Sequence, residues 1–167
     1  DDKIAGHFRK EDEYVRIGTY IASAPKHIER RVEEILIEYS SDLDTYFTDK
    51  IAKFHLDFEL IHPFLDGNGR IGRVLINYQL KDLGFPAIII RNKEKSKYYQ
   101  AFKEYHDDKK RKIMERVLTL AIMESLHKKT TYLKGETIIE LTEYAKKTNK
   151  SVQAVLNSAG RQTIPAF

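Results

Sequence analysis

The chain has 167 residues, of which 41% are hydrophobic and 32% charged. That is enough for one packed domain burying roughly 70% of its unfolded surface, and too apolar for a wholly disordered chain. It has no cysteine, which excludes a disulfide framework, a thiolate zinc site and a cysteine nucleophile. No run approaches the roughly 18 unbroken apolar residues of a membrane span, and the start lacks a signal peptide's apolar segment, so the expected location is the cytoplasm, away from membranes. The formal net charge of +4 lies in residues 127–167, where seven Lys or Arg face three Glu; the remainder balances 22 basic against 22 acidic residues. Any electrostatic attraction to nucleic acid rests on that tail.

In chain order, Phe8-Arg9-Lys10 and an acidic patch precede Tyr14-Val15-Arg16-Ile17-Gly18-Thr19-Tyr20-Ile21. β-Branched and aromatic residues around one Gly predict a short hairpin ending at Pro25. Ile28, Val32, Ile35, Leu36 and Tyr39 then recur at helical spacing, with Pro25 suited to a first turn. Ser40-Ser41-Asp42 break the chain before a second helix with Phe47, Ile51, Phe54, Phe58 and Ile61 on a stripe thickened by Leu56 and Leu60, which predicts burial on several sides. His55 and Glu59 share a face of this helix with His62 near, without metal-ligand spacing; His55 is read as a core or surface residue.

That helix runs into His62-Pro63-Phe64-Leu65-Asp66-Gly67-Asn68-Gly69-Arg70-Ile71-Gly72-Arg73, after which Val74, Leu75, Tyr78 and Leu80 restore a helical period. Leu83-Gly84-Phe85-Pro86 stops it, and residues 87–90 form a short apolar extended run. Further helices are expected over about 95–106 and 109–127, then a linker over 130–135. In the tail, Ile138, Leu141 and Ala145 mark a short helix, and Ser151 caps another carrying Val152, Val155 and Leu156.

The chemistry concentrates in the loop at 66–69. Two glycines around an asparagine can turn successive N–H groups inward as an anion nest, and the following helix start adds its unpaired N–H groups and positive dipole end. Arg70 and Arg73 lie one turn apart, so both guanidinium forks can reach one phosphate chain. Asp66 can hold Mg²⁺, which binds through one or two carboxylates plus substrate phosphates. His62, four positions earlier, can accept a proton at neutral pH. No Lys-Ser or Lys-Thr follows the glycines, which excludes a Walker A loop. Each part alone is ordinarily a turn, a helix-end histidine or a solvated face; together they describe a site for a nucleotide's phosphates.

The string His62-Pro63-Phe64-x-Asp66-Gly67-Asn68-Gly69-Arg70-x-x-Arg73 resembles the signature of the Fic family at nine specified positions within twelve residues. The resemblance continues in the same order from the hairpin at 14–25 to the helix bearing Tyr98 and Tyr99, and covers about three quarters of the chain, to near His127. It implies a mostly α Fic fold, a helical core with a short β-hairpin flap, here over residues 1–129. Residues 130–167 would form a small helical appendage like a truncated helix-turn-helix. It implies an enzyme that moves AMP from ATP to a Ser, Thr or Tyr hydroxyl of a protein target, with the chain itself among the candidates, and releases pyrophosphate. By that similarity His62 is the catalytic base, Asp66 holds Mg²⁺, and Asp66, Gly67, Asn68, Gly69, Arg70, Ile71, Gly72 and Arg73 cradle the nucleotide. Tyr98 and Tyr99 match a tyrosine pair lining the family's adenine pocket, while His106 stands where some relatives carry Asn. Ile17, Gly18, Thr19 and Tyr20 match the flap that positions the target by strand addition. Many relatives also carry an inhibitory helix of the form Ser or Thr, three residues, Glu, then Gly or Asn, whose Glu pairs with the second motif arginine. The 167 residues contain no such segment; it would lie upstream, be missing, or belong to a partner, and without it Arg73 is expected to be open to the γ-phosphate and the chain constitutively active.

Two alternatives stand beside this reading. One is a transferase using another nucleotide donor. The other is a DNA-binding regulator whose core senses nucleotide, with Lys150 and Arg161 as the nearest phosphate contacts and few base-reading groups on the last helix. The tail could equally serve as a packing or homodimerising appendage.

Overall fold

The computed structural model describes residues 6–18, 20–91 and 94–167, so Thr19 of the expected flap lies outside them. The hairpin forms as β1 (Arg16–Ile17) and β2 (Tyr20–Ile21), antiparallel with Arg16 opposite Ile21 and Ile17 opposite Tyr20. Ala22 N–H donates to the Val15 carbonyl at 3.0 Å and extends the pairing by one bond. A 3₁₀ turn over Pro25–His27 leads into α1 (Ile28–Ser41), with Pro25 at the first turn as expected, where its missing N–H costs no bond.

Helix α2 (Phe47–Ile61) is the centre of the molecule and packs against α1, α3 (Asn68–Asp82), α4 (Lys95–Asp108) and α5 (Lys112–Lys134). Its apolar residues divide between two clusters. Ile51, Ala52 and Leu56 join Ile76, Leu80, Met114 and Leu118 on one side, while Phe54, Phe58 and Ile61 meet Ile28 and Ile35 on the other. The thick apolar stripe on α2 therefore reflects two cores on one helix. The turn before it is held by Asp42, whose Oδ1 accepts from the N–H groups of Asp44 and Thr45 at 3.1 and 2.9 Å.

The extended run at 87–90 makes no sheet; Ile88 N–H donates to Asn77 Oδ1 at 2.7 Å, and Asn77 Nδ2 donates to the Ile88 carbonyl at 3.2 Å. An amide on α3 thus takes the part of a neighbouring strand. The segment expected as a linker over 130–135 is instead the last turn of α5, which stops at Gly135 (φ 64°). Threonines at 130 and 131 lower helix propensity by only about 0.7 kcal/mol each, and Thr131 is buried, whereas a left-handed glycine closes the helix. Beyond it, α6 (Leu141–Lys147) and α7 (Val152–Gly160) pack on each other, and Ser151 Oγ accepts from Ala154 N–H at 3.2 Å as the expected cap.

Candidate active site

Helix α2 ends because Pro63 follows His62. A residue before proline avoids the right-handed helical region, and His62 takes the left-handed one instead (φ 52°), its N–H still closing the helix on the Phe58 carbonyl at 2.9 Å. A non-glycine residue there stores about 1–2 kcal/mol, which the surroundings must over-determine. Arg9 does so. Its buried guanidinium donates to the carbonyls of His62 (2.7 Å), Glu13 (2.7 Å), Ser23 (2.7 Å) and Ile61 (3.2 Å), and Arg9 N–H donates to the Pro63 carbonyl at 2.9 Å. The orphan carbonyls and negative dipole end of α2 thus meet a fixed positive charge.

The loop after Pro63 is pinned by Asn68, which is 1% exposed. Its Oδ1 accepts from Phe64 N–H at 2.9 Å and its Nδ2 donates to the Phe64 carbonyl at 2.7 Å. Gly67 (φ 82°) precedes α3 at its N-cap, a conformation that L side chains seldom adopt. Asp66 and Arg70 are exposed and paired to each other at 2.9 Å, and the other Asp66 oxygen accepts from Gly67 N–H at 2.6 Å. An exposed pair of this kind contributes about 0–1 kcal/mol, so it opens readily. Among the described residues no cluster of three or more His, Asp or Glu side chains gathers as a metal cage. Mg²⁺ does not require one, since it keeps several waters and binds through one carboxylate with substrate phosphates; the donor chemistry of exposed Asp66 fits that mode.

An open cavity of about 480 Å³ joins three elements of the expected site: Ile17, Gly18 and Tyr20 of the hairpin, His62, Gly69 and Arg73 of the loop and α3, and Tyr98 and Tyr99 of α4. Glu59, Phe102, Lys103, His106 and Asp107 complete its wall. Asp66, Gly67, Asn68 and Arg70 lie outside that wall, on the loop beside it, Ile71 packs into the α1–α2 cluster and Gly72 is buried against α2. Tyr98 is buried, its hydroxyl 2.7 Å from His55 Nε2, while Tyr99 is exposed. His106, which stands where some relatives carry Asn, stacks on Tyr20 with ring centroids 4.1 Å apart.

The electrostatics centre on α2. His62 Nδ1 lies 3.3 Å from the Glu59 carbonyl, and because a carbonyl only accepts, Nδ1 carries the proton and Nε2 is left as the acceptor. Burial, reinforced by Arg9, holds the imidazole below its ordinary pKa and keeps it neutral at pH 7. Burial pushes the Glu59 carboxyl up to about 7 against the pull of Arg73, and pushes His55 down to about 3. Burial, with Glu59 adding to it, also raises Tyr20 to about 12, so its hydroxyl stays protonated.

Two residues here were given no role from the sequence. Glu59 had a legible signal, an acid on the apolar stripe of a buried helix three positions before His62. Arg9 had none, because its partners at Ile61 and His62 lie 52 and 53 positions away.

The family model described as Fic/DOC family matches residues 1–80. Over 102 residues the chain is 38% identical to protein adenylyltransferase Fic of Drosophila willistoni and 31% identical to protein adenylyltransferase fic-1 of Caenorhabditis elegans, in each case 59% of this chain and 20% of the relative. The chain thus spans a fifth of the length of these curated relatives. Among solved structures, the C. elegans Fic-1 fragment 134–508 superposes with a TM-score of 0.67 at 24% identity, covering 81% of this chain and 39% of that one. A Fic-domain-containing signalling protein from Bacteroides thetaiotaomicron gives 0.59 at 24% identity, covering 80% and 57%. These likenesses carry the fold, a mostly helical Fic architecture with a two-stranded hairpin.

Proposed function

We propose, from the match of the Fic/DOC family model to residues 1–80, that this chain is a protein adenylyltransferase of that family, moving AMP from ATP to a Ser, Thr or Tyr hydroxyl of a protein target. The single observation that carries the reading is that His62, with Nε2 as an unprotonated acceptor, shares one cavity with Arg73, the start of α3 and the edge of the hairpin. His62 Nε2 takes the proton of the target hydroxyl as its oxygen bonds to the α-phosphorus, and the bond from that phosphorus to the β-phosphate's bridging oxygen breaks, releasing pyrophosphate. Charge spread over the phosphate oxygens meets Arg73 and the N–H groups at the head of α3, with exposed Arg70 joining them once released from its pair with Asp66. Asp66 would hold Mg²⁺, which when bound neutralises charge on the phosphates. Tyr98 and Tyr99 offer aromatic surface for the base. Strands β1 and β2, with nothing paired on their outer edges among the described residues, offer backbone groups to an extended target segment.

The test uses ATP labelled at the α or the γ position, supplied with Mg²⁺ to the purified chain with and without cell lysate. Protein-bound α label, absent with γ label and reduced about 10²- to 10⁴-fold in His62→Ala, is the expected result. Transfer of γ label instead, or α label that survives His62→Ala, overturns it.

A further inference from the structure

Beneath the cavity, buried polar groups run from α4 to His62. Tyr98 hydroxyl meets His55 Nε2 at 2.7 Å. The other nitrogen, His55 Nδ1, and Glu59 Oε1 are buried without a hydrogen-bond partner among the described residues. Both converge on Gly72: a Cβ there would lie 2.9 Å from His55 Nδ1, 2.8 Å from Glu59 Oε1 and 2.7 Å from His55 Cε1. The other Glu59 oxygen, Oε2, lies 3.9 Å from His62 Nδ1. Glycine at 72 therefore leaves the space in which a carboxylate is tucked between two imidazoles. Leaving such groups unpaired costs about 1–3 kcal/mol each, so their retention calls for a role.

We propose, building on the adenylyltransferase reading above, that Glu59 is a positioning residue for His62: its backbone carbonyl holds the imidazole proton on Nδ1, and its carboxylate, seated in the cradle left by Gly72, stabilises the imidazolium formed when Nε2 takes the target's proton. When Glu59 is protonated, it adds no charge beside His62. When it is ionised, the charge faces His62. The raised affinity of Glu59 for its proton puts this exchange near neutral pH. The other groups facing the pair are His55 on α2, Arg73 on α3, Arg9 of the first segment, Tyr20 on β2, and Tyr98, Lys103, His106 and Asp107 on α4. Burial keeps His55, Tyr20 and Tyr98 neutral across pH 6–8, and His106 is paired with Asp107 at 2.9 Å.

The experiment is a residue-resolved nitrogen and carbon NMR titration of the whole chain, wild type and Glu59→Gln, without nucleotide. Expected are a Nδ1–H tautomer for His62 in the wild type, a His62 midpoint lower by about one unit in the variant, and a shared inflection in the wild-type His62 and Glu59 curves. An unmoved His62 midpoint in a folded variant overturns the proposal. Should the variant fail to fold, independent single-site curves for His62 and Glu59 in the wild type overturn it equally. These signals need no turnover, so they decide the role of Glu59 even if AMP transfer itself fails. With AMP transfer in hand, kcat is expected to fall roughly tenfold in Glu59→Gln with KM for ATP unchanged. Loss carried by KM alone would count against positioning.

Discussion

At the scale of single residues, the site works by holding two titratable groups on opposite sides of their ordinary states. His62 is kept neutral by burial and by Arg9, and Glu59 is kept partly protonated by burial against the pull of Arg73. In the proposed transfer a general base is effective only when unprotonated, so the lowered pKa of His62 would extend activity to more acid conditions than a solvated histidine, near 6.5, would allow. In Glu59→Gln, where the imidazole titrates without its carboxylate neighbour, the kcat/KM profile for AMP transfer is expected to show one acid limb with its midpoint below 6.5. In the wild type a second rise should appear near 7, as two interacting groups give two macroscopic steps. Rates measured from pH 5 to 8 on both proteins check this, and a single limb shared by both would refute it. The motif residues were legible in sequence because each requirement is local: glycine for a left-handed turn, arginines one turn apart, a histidine before proline. The cradle was not, because it depends on how closely α3 approaches α2.

At the scale of elements, two contacts fix where the motif sits. One is the Arg9 clamp over the end of α2, which replaces four would-be unsatisfied carbonyls with charge-assisted hydrogen bonds. Arg9→Met keeps much of the stem and removes the donors; the expected cost is about 3 kcal/mol, given 1–3 kcal/mol for each buried group left unpaired and partial access of water to the rest. For a chain of this size that lowers Tm by roughly 6–12 °C, measurable by calorimetry. The other is the crossing of α2 and α3 at Gly72. Alanine gains about 1 kcal/mol in helix propensity over glycine, but its Cβ would fall 2.7 Å from the His55 ring and 2.8 Å from Glu59. Overpacking by a methyl group costs about 1–3 kcal/mol, so Gly72→Ala is expected to destabilise in denaturant titration, where a solvent-facing glycine would be stabilised. The helices themselves were readable from periodicity, and α2 could be identified as central from its double apolar stripe. The course of residues 130–135 was not, because two threonines and a short polar run read as a break, while the burial of Thr131 carries α5 on to Gly135. Arg9 illustrates the same limit, since nothing near it in sequence tells that its partners end another element.

At the scale of the whole molecule, the buried pair on α2 leaves a signature in stability against pH. His55 binds its proton less tightly folded than unfolded, its pKa falling from 6.5 to about 3, so the unfolded chain holds more protons between those values and His55 makes stability rise with pH across that window. Glu59 acts in the opposite sense. Its pKa rises from 4.5 to about 7, the folded chain holds the extra proton, and stability falls as pH increases from about 4.5 to about 7 before levelling off. The two slopes oppose each other between 4.5 and 6.5, which places the best contribution of this pair in mildly acid solution. Replacing Glu59 by glutamine removes the falling slope and leaves the rising one. Chemical denaturation of Glu59→Gln and wild type at matched pH values isolates the difference, because every other titrating group is common to both. The variant is expected to gain stability relative to wild type as pH rises from 4.5 to 7, by an amount on the order of 3 kcal/mol, since each unit of pKa shift corresponds to about 1.4 kcal/mol. A difference that stays constant with pH would mean that Glu59 ionises as easily inside the fold as in the unfolded chain. The carboxylate would then have to be solvated or fully paired with Arg73, and the cradle at Gly72 would have no energetic consequence.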